Sequence, residues 1–564
     1  MLRILLGFIW LAMAGTASAI TIFTAKEIVT LDAQHSSVSA VAVEGDEILA
    51  TGSLEALLQQ FPSAEVDHQF AEQVIVPGFI NQHDHPFLAA ITMATQVISI
   101  EEWTLPGRTY PAAYSPSEYR TKLKQYLHAH QQHDFFISWG YHRLWHGELD
   151  RAQLDNLSPD VPVLIWQRSG HEIIFNTLAL QQLGLDQQSL AEFPEHIRKQ
   201  IDLPRGHFWE QGLLAILPKI IPVLASPERY APALEVIRDY WLNAGVTRVI
   251  EPGGLTLPHL MDIQLKVLGQ ADTPFRMDYI IDAKLVAQRF GMDGMLASVD
   301  EMVASWGSAH SRYYPKQVKM FSDGAIFSQL MQMRDGYLDG HEGEWMTPQD
   351  KFKILFEKFW QAGYQIHIHQ NGDAGLDFVL DVLADNLQRH PREDHRTTIV
   401  HFGFSSPDQV ERIAELGVIV SANPYYPVAL GEKYSDHGIG PERAQEMVRL
   451  ADLAERGLSF SLHSDMPMAP GQPLFLMWCA VNRLDPQGNV IGPQQRISAL
   501  QALKAVTLDA AYSIQQEDRI GSIEAGKLAN LTVLAENPLN VDPLLIKDID
   551  VIATVHEGTV HANL

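Results

Sequence analysis

Short apolar runs alternating with helix-patterned segments dominate the middle of the chain, and this alternation constrains the fold more than any other feature. The runs fall at residues 74–80, 246–250, 275–281, 317–321, 365–369, 398–401, 418–421 and 459–463. Between several of them, residues 227–243, 351–361, 374–389 and 407–416 carry apolar side chains at helical spacing. Apolar runs this short, separated by helices, read as strands buried on both faces of a parallel sheet. Eight such units close naturally into a (β/α)8 TIM barrel, so the expected fold class is α/β.

The ends of the chain follow a different pattern. Residues 20–25, 40–43 and 48–51 are strand-like around a turn at Glu44-Gly45-Asp46-Glu47, and residues 531–534 and 551–555 precede a second turn at Glu557-Gly558-Thr559. Neither end is large enough to enclose a core alone, so the two are expected to pack together as one small composite β-sandwich. The resulting division assigns 20–73 and 505–564 to the composite sandwich and 74–94 and 225–504 to the barrel. Residues 95–224, far too long for one βα connection, become an insertion after the first barrel strand. Its placement above the barrel mouth would make it a lid or pocket wall, and its Trp139, Trp145, Phe208 and Trp209 hint at an apolar acyl or aryl group on the substrate, although such residues more often build a local core.

Charge narrows the partners. With 68 acidic against 41 basic residues the formal charge is −27, which argues against nucleic acid and anionic lipid and favours a small-molecule substrate. A homodimer is left open. Arg3, an apolar run over residues 4–14 and the small-residue exit ending at Ala19 form an export leader, 1–19, that is too short to span a bilayer comfortably, so a periplasmic or secreted protein without a later membrane span is expected. The single cysteine, Cys479, sits among apolar neighbours and reads as a packed thiol.

Twenty-four histidines would give about one His-x-His by chance, and three are present. His128-Ala-His130 lies in a helical run and reads as a solvated face. His83-Asp84-His85 and His367-Ile-His369 lie on strands or at their ends, where residues two apart share a face. His83 and His85 follow the first strand, Lys319 is on the fourth, His369 on the fifth, His401 on the sixth and Asp465 just past the eighth. Barrel enzymes carry their chemistry at these tips, so the set reads as metal ligands.

At this point the chain resembles a known family. The runs Pro77-Gly78-Phe79-Ile80-Asn81-Gln82-His83-Asp84-His85, Lys319 to Asp323-Gly324, His369 to Gly372-Asp373, the strand ending in His401, Ser464-Asp465-Met466-Pro467 and Gly521 to Asn530 are similar to the amidohydrolase superfamily, specifically the amidohydrolase 3 group of YtcJ-like hydrolases. Three positions depart from its pattern: Val400 stands where an acidic residue is usual and His463 where glycine is usual, both near the mouth where they would alter substrate or metal preference, and Asn530 stands where aspartate is usual, a structural change.

The resemblance implies a metal-dependent hydrolase of non-peptide C–N bonds (an amide, N-acyl or N-formyl amine) acting through a metal-activated hydroxide. His83, His85 and Asp465 would hold one divalent ion and His369 and His401 a second, both most simply Zn2+. Lys319 would carry a CO2-derived carbamate that bridges them, with Glu210 as the rival bridging ligand. Asp465 would also be the catalytic proton shuttle, and His171 and Asp323 would contact substrate or support the ligands. A mononuclear zinc deaminase or cyclic amidase shares most of this set. An exported binding protein without catalysis would be expected to lack one of the ligands, and none is missing.

Overall fold

The computed structural model describes residues 19–33, 36–130, 134–254 and 257–563. The leader reading of 1–19 falls, except for Ala19, outside the described residues.

Eight strands make the central sheet: β1 (Phe79–Asn81), β2 (Val246–Pro252), β3 (Arg276–Asp282), β4 (Ser311–Phe321), β5 (Gln365–Gln370), β6 (Thr398–His401), β7 (Ile419–Ala422) and β8 (Phe460–Leu462). They lie in chain order and every neighbouring pair among these eight is parallel, while a ninth, two-residue strand, Gly307–Ser308, pairs antiparallel with β4. Their side chains are buried almost without interruption, as a parallel sheet covered by helices requires, except in the first half of β4, where Arg312, Pro315 and Lys316 are exposed. The sheet curls until its outer tips meet. Gln82, just past β1, donates to Ser461 Oγ and to the Leu462 carbonyl on β8, at 2.9 and 3.3 Å. Beyond the strands, Asp465 N–H reaches the His83 carbonyl at 3.1 Å and His85 N–H reaches that of Met466 at 3.2 Å. At the other end, Ala510, Ala511 and Ile514 pack with Ile80, Ile250, Ile280 and Tyr314 and plug the base.

One expected strand divides in two. Residues 74–80 read as a single barrel strand, but Val74–Pro77 pairs antiparallel with Leu531–Leu534, and only Phe79–Asn81 joins the central sheet. The break has a local cause. Pro77 lacks an N–H for a ladder, and a Cβ on Gly78 would stand 2.4 Å from Thr247 Oγ1, so only glycine lets the chain pass from one sheet to the other.

The terminal strands form one continuous sheet, ordered Thr559–Ala562, Val551–His556, Leu531–Leu534, Val74–Pro77, Ile20–Val29, Ser37–Glu44, Glu47–Gly52, with Glu65–Asp67 beside Ile20–Val29. It rolls over a core that includes Phe23, Ile28, Val41, Ile75, Val533 and Val555. The two edge hairpins come close enough that a Cβ on Gly558 would lie 2.0 Å from the Gly45 carbonyl oxygen. Residues 95–224 build a separate six-stranded sheet, ordered Ile201–Asp202, His207–Trp209, Glu172–Phe175, Val163–Gln167, Phe136–Tyr141, Gln96–Val97. Helix α1 (Glu210–Leu224) leads from it over the tips of the central sheet.

Thr532 fastens the rolled sheet to the central one. Its buried hydroxyl accepts from Phe79 N–H at 3.2 Å and donates to the Gly245 carbonyl at 2.6 Å. Thr532→Val keeps the shape but strands both backbone groups, and the expected cost is about 1–3 kcal/mol of stability. Chemical denaturation of the full chain should show the corresponding fall in midpoint.

Candidate metal centre

The tips of the central sheet converge on one buried cluster. His85 Nε2 lies 3.0 Å from Asp465 Oδ1, and His83 Nε2 lies 3.4 Å from the same oxygen. One ligand atom from each of these three residues falls within 4.8 Å of the others. His401 stands next to them, its Nδ1 3.8 Å from Asp465 Oδ2 and its ring centroid 5.0 Å from that of His83. His369 packs edge-on against His401 at 4.4 Å.

Asp84, between the two first-strand histidines, is the clamp. Its buried carboxylate accepts from the Ser464 hydroxyl, from Met466 N–H at 2.9 Å and from Asn81 Nδ2 at 2.8 Å. It thereby joins the tip of β1 to the loop after β8 and fixes His83 and His85 against Asp465. Burial pushes its pKa up to about 6 even though these three donors oppose the shift. The backbone is constrained as well: His401, Asp465 and Glu210 have φ of 78°, 56° and 43°. Non-glycine residues held in this region store about 1–3 kcal/mol each and concentrate at functional sites.

Burial keeps most of the imidazoles neutral. His83, His369, His401 and His463 are all held well below the ordinary histidine range by desolvation, with the charge of Lys319 adding to the effect. Neutral imidazole is the form that binds metals. His85 differs: burial works against its charge, but Asp465 and Glu251 outweigh that and raise it to about 9. Burial lowers Lys319 to about 7, with Asp465 and Asp282 pulling the other way. Its Nζ is buried with no hydrogen-bond partner, as is Glu210 Oε1. Lys319 reaches the site only because position 253 is glycine, since a Cβ there would lie 2.7 Å from Lys319 Cγ. Neutral imidazoles, a carboxylate and a neutralisable amine without a partner fit a divalent cation.

Not every expected residue joins the cluster in the same way. His369 Nε2 accepts from Asn371 Nδ2 at 3.0 Å, and His367 turns away to Gln317 at 3.1 Å. Glu210 Oε2 bonds His171 Nδ1 at 3.0 Å, and the His171 ring lies 6.3 Å from that of His369. Asp323 receives the N–H groups of Gln332, Asn371 and Gly372 at 2.8–3.0 Å, so it braces the loop after β5. Among the departures from the family pattern, Val400 is a buried neighbour of His369 in the sheet register. Asn530 Oδ1 holds the Glu557 N–H at 2.9 Å.

Two contributors went unread in the sequence. Glu251, at the tip of β2, lies 3.5 Å from His85 Nδ1. A charged residue ending an apolar run was the available signal. His463 is expected from its departure near the mouth to alter substrate or metal preference, but not to support a ligand: its Nε2 meets His401 Nδ1 at 3.1 Å while its Nδ1 meets Ser421 Oγ at 2.7 Å, and Ser421 in turn accepts from Gln82 at 3.0 Å. With His463 donating to Ser421 and accepting from His401, the His401 Nε2 lone pair is left free for a ligand.

Above the cluster a cavity of about 740 Å3 opens, with His83, His85, Lys319, His369, His401 and Asp465 among its lining. Its other walls are mostly apolar, from Phe87, Leu88, Leu257, Phe321, Met346 and Met468 and from Leu213, Leu217 and Ile221 of α1. The insertion therefore walls the cavity. Trp139, Trp145, Phe208 and Trp209 do not line it. Trp139 stacks edge-on with Trp103 and Phe208 with Phe175 in the insertion's own packing, while Trp166 supplies the aromatic face at the cavity.

A histidine and aspartate cluster at the tips of a parallel sheet, beneath a cavity sized for a small molecule, defines a metal-dependent hydrolase. The amidohydrolase family model matches residues 72–562, and the chain belongs to that family. Protein LONG AFTER FAR-RED 3 of Arabidopsis thaliana is 26% identical over 531 residues, spanning 90% of this chain and 86% of that one. N-substituted formamide deformylase of Arthrobacter pascens is 25% identical over 551 residues, spanning 94% and 96%. The fold is shared with a crystal structure of an uncharacterized metal-dependent hydrolase from Pyrococcus horikoshii, at a TM-score of 0.71 and 20% identity over 93% of this chain and 99% of that one.

Two outcomes follow from this geometry. Replacing His463 with alanine removes the partner of His401, a candidate ligand, and should weaken metal binding by about 10–100-fold, read by competition with a chromophoric chelator. Because His85 keeps its proton up to about pH 9 in the metal-free protein, binding must expel it, so affinity should fall as the pH is lowered below that value.

Proposed function

We propose that the chain hydrolyses a C–N bond in an N-formyl or N-acyl amine that carries an apolar substituent, at the mouth of a closed (β/α)8 barrel. The observation that carries this reading is the His83, His85 and Asp465 cluster at the floor of a mostly apolar cavity. Similarity to an N-substituted formamide deformylase across nearly the whole chain supports it. His83, His85 and Asp465 would hold one divalent ion, zinc by preference for this donor set, and His369 and His401 a second, with a carbamate on Lys319 between them. A bound ion supplies Lewis acidity, which lowers the pKa of water and polarises the substrate carbonyl.

The protein's own groups do the rest. Asp465, whose Oδ1 faces His83 and His85, takes a proton from the attacking water and returns it to the leaving nitrogen, so the water is divided between the acyl carbon and the amine. The His171 and Glu210 pair sits on the insertion side of the cavity, where it can orient the substrate. Leu213, Leu217 and Ile221 of α1 take up the apolar substituent and exclude water around it. We also read the protein as exported, on the leader at residues 1–19.

One observation favours a second reading, a mononuclear deaminase or cyclic amidase. His83, His85 and Asp465 form a compact set by themselves, while His369 Nε2 is engaged by Asn371. The number of ions bound at the mouth separates the two: two there for the first reading, one with an unmodified Lys319 for the second.

A panel of N-formyl and N-acyl amines with apolar substituents tests the activity. Turnover should be lost to a chelator and restored by a divalent ion. Asp465→Asn should lower kcat by about 10²–10⁴-fold. Full turnover by that variant would remove the proton shuttle from the account.

A further inference from the structure

We infer that His310, His556 and Glu557 form a separate transition-metal site at the base of the central sheet, where an ion would clip the C-terminal hairpin to it. His310 lies in the turn leading into β4, and its carbonyl accepts Met277 N–H of β3 at 3.0 Å. His556 ends the strand Val551–His556, and Glu557 occupies the following turn with φ of 48°. His310, just before β4, and Lys319, near its far end, are nine residues apart along an irregular strand, roughly 20–30 Å at ~3.3 Å per residue, so this cluster is distinct from the mouth.

Three observations point to a cation. One ligand atom from each of the three residues lies within 4.8 Å of the others. His310 Nδ1 and His556 Nε2 are both buried and have no hydrogen-bond partner, a state that buried polar atoms rarely keep without a ligand. His556 is 3% exposed, and its Nε2 is aimed at Glu557 Oε1 from 3.9 Å. Burial also holds His556 neutral, the state that binds metal.

The surrounding charges permit the ion. Arg248 and Arg276 face the cluster, but both are engaged by Asp278, at 2.5 and 3.4 Å, and Arg276 lies 3.9 Å from Glu557 Oε1. The backbone of Glu557 is held by Asn530, so the carboxylate is carried on a fixed turn. Two imidazoles and one carboxylate, with a position left for water, match Zn2+, Ni2+ or Cu2+ and not the all-oxygen preference of Mg2+ or Ca2+. The ligands come from segments roughly 250 residues apart in sequence. An ion here would therefore lock the terminal sheet onto the base without entering the hydrolysis.

The test uses the full chain, stripped with a chelator and titrated with Zn2+ or Co2+ alone. The double variant His310→Gln/His556→Gln should bind one ion fewer per chain than the parent and lose that ion's share of the metal-dependent rise in Tm. Its turnover, with the mouth metal restored, should stay within about twofold of the parent. Glu557→Gln, at a partly exposed turn, is the variant to use if the double variant does not fold, and it should weaken the same ion by at least about tenfold. Unchanged stoichiometry and an unchanged metal-dependent Tm in either folded variant would overturn the site. Turnover that falls in step with the lost ion would overturn it too, since the ion would then belong to the catalytic set.

Discussion

A single buried carboxylate holds the reactive end of this molecule together. Asp84 binds the β1 tip on one side and the backbone and hydroxyl of the loop after β8 on the other. Histidines at the start of the sheet and an aspartate nearly 400 residues later are brought into contact through it. The carboxylate is desolvated by burial, and three donors offset that cost. Without this clamp the outer tips of the curled sheet would be left with the Gln82 contacts, the Asn81 bond to the Gly471 carbonyl and a few backbone bonds to keep them in register.

Around that clamp the three parts of the chain divide the work. The central sheet fixes the tips. The rolled terminal sheet braces it from below through Thr532 and Gly78, and the insertion walls the cavity with α1. Polar atoms are concentrated at the floor, and the walls are mostly apolar. Such a cavity binds by excluding water around one part of a substrate while holding a polar group over the cluster.

Much of this was legible in the sequence, because a parallel sheet buried on both faces leaves continuous apolar runs, and the central strands sit where those runs are. The helix over 227–243 likewise matches Pro227–Asn243. Residues 74–80 misled because one apolar run serves two sheets: periodicity does not register a change of partner, although Pro77-Gly78 marked the place. The tip residues were found because each follows an apolar run. Glu251 was passed over because a lone acid has no motif, and the role of His463 depends on Ser421 and His401, contacts that spacing along the chain does not disclose. Composition alone left the insertion's aromatics open between a substrate contact and a local core; none of the four lines the cavity, and Trp139 and Phe208 pack inside the insertion.

The central claim, that His83, His85 and Asp465 bind a catalytic cation, is tested most directly by locating the metal itself. Anomalous diffraction from crystals of the zinc-loaded full chain should place a peak at about 2.0–2.2 Å from an imidazole nitrogen of each histidine and from an Asp465 oxygen. A zinc-loaded, active crystal with no peak in contact with these three residues would contradict it.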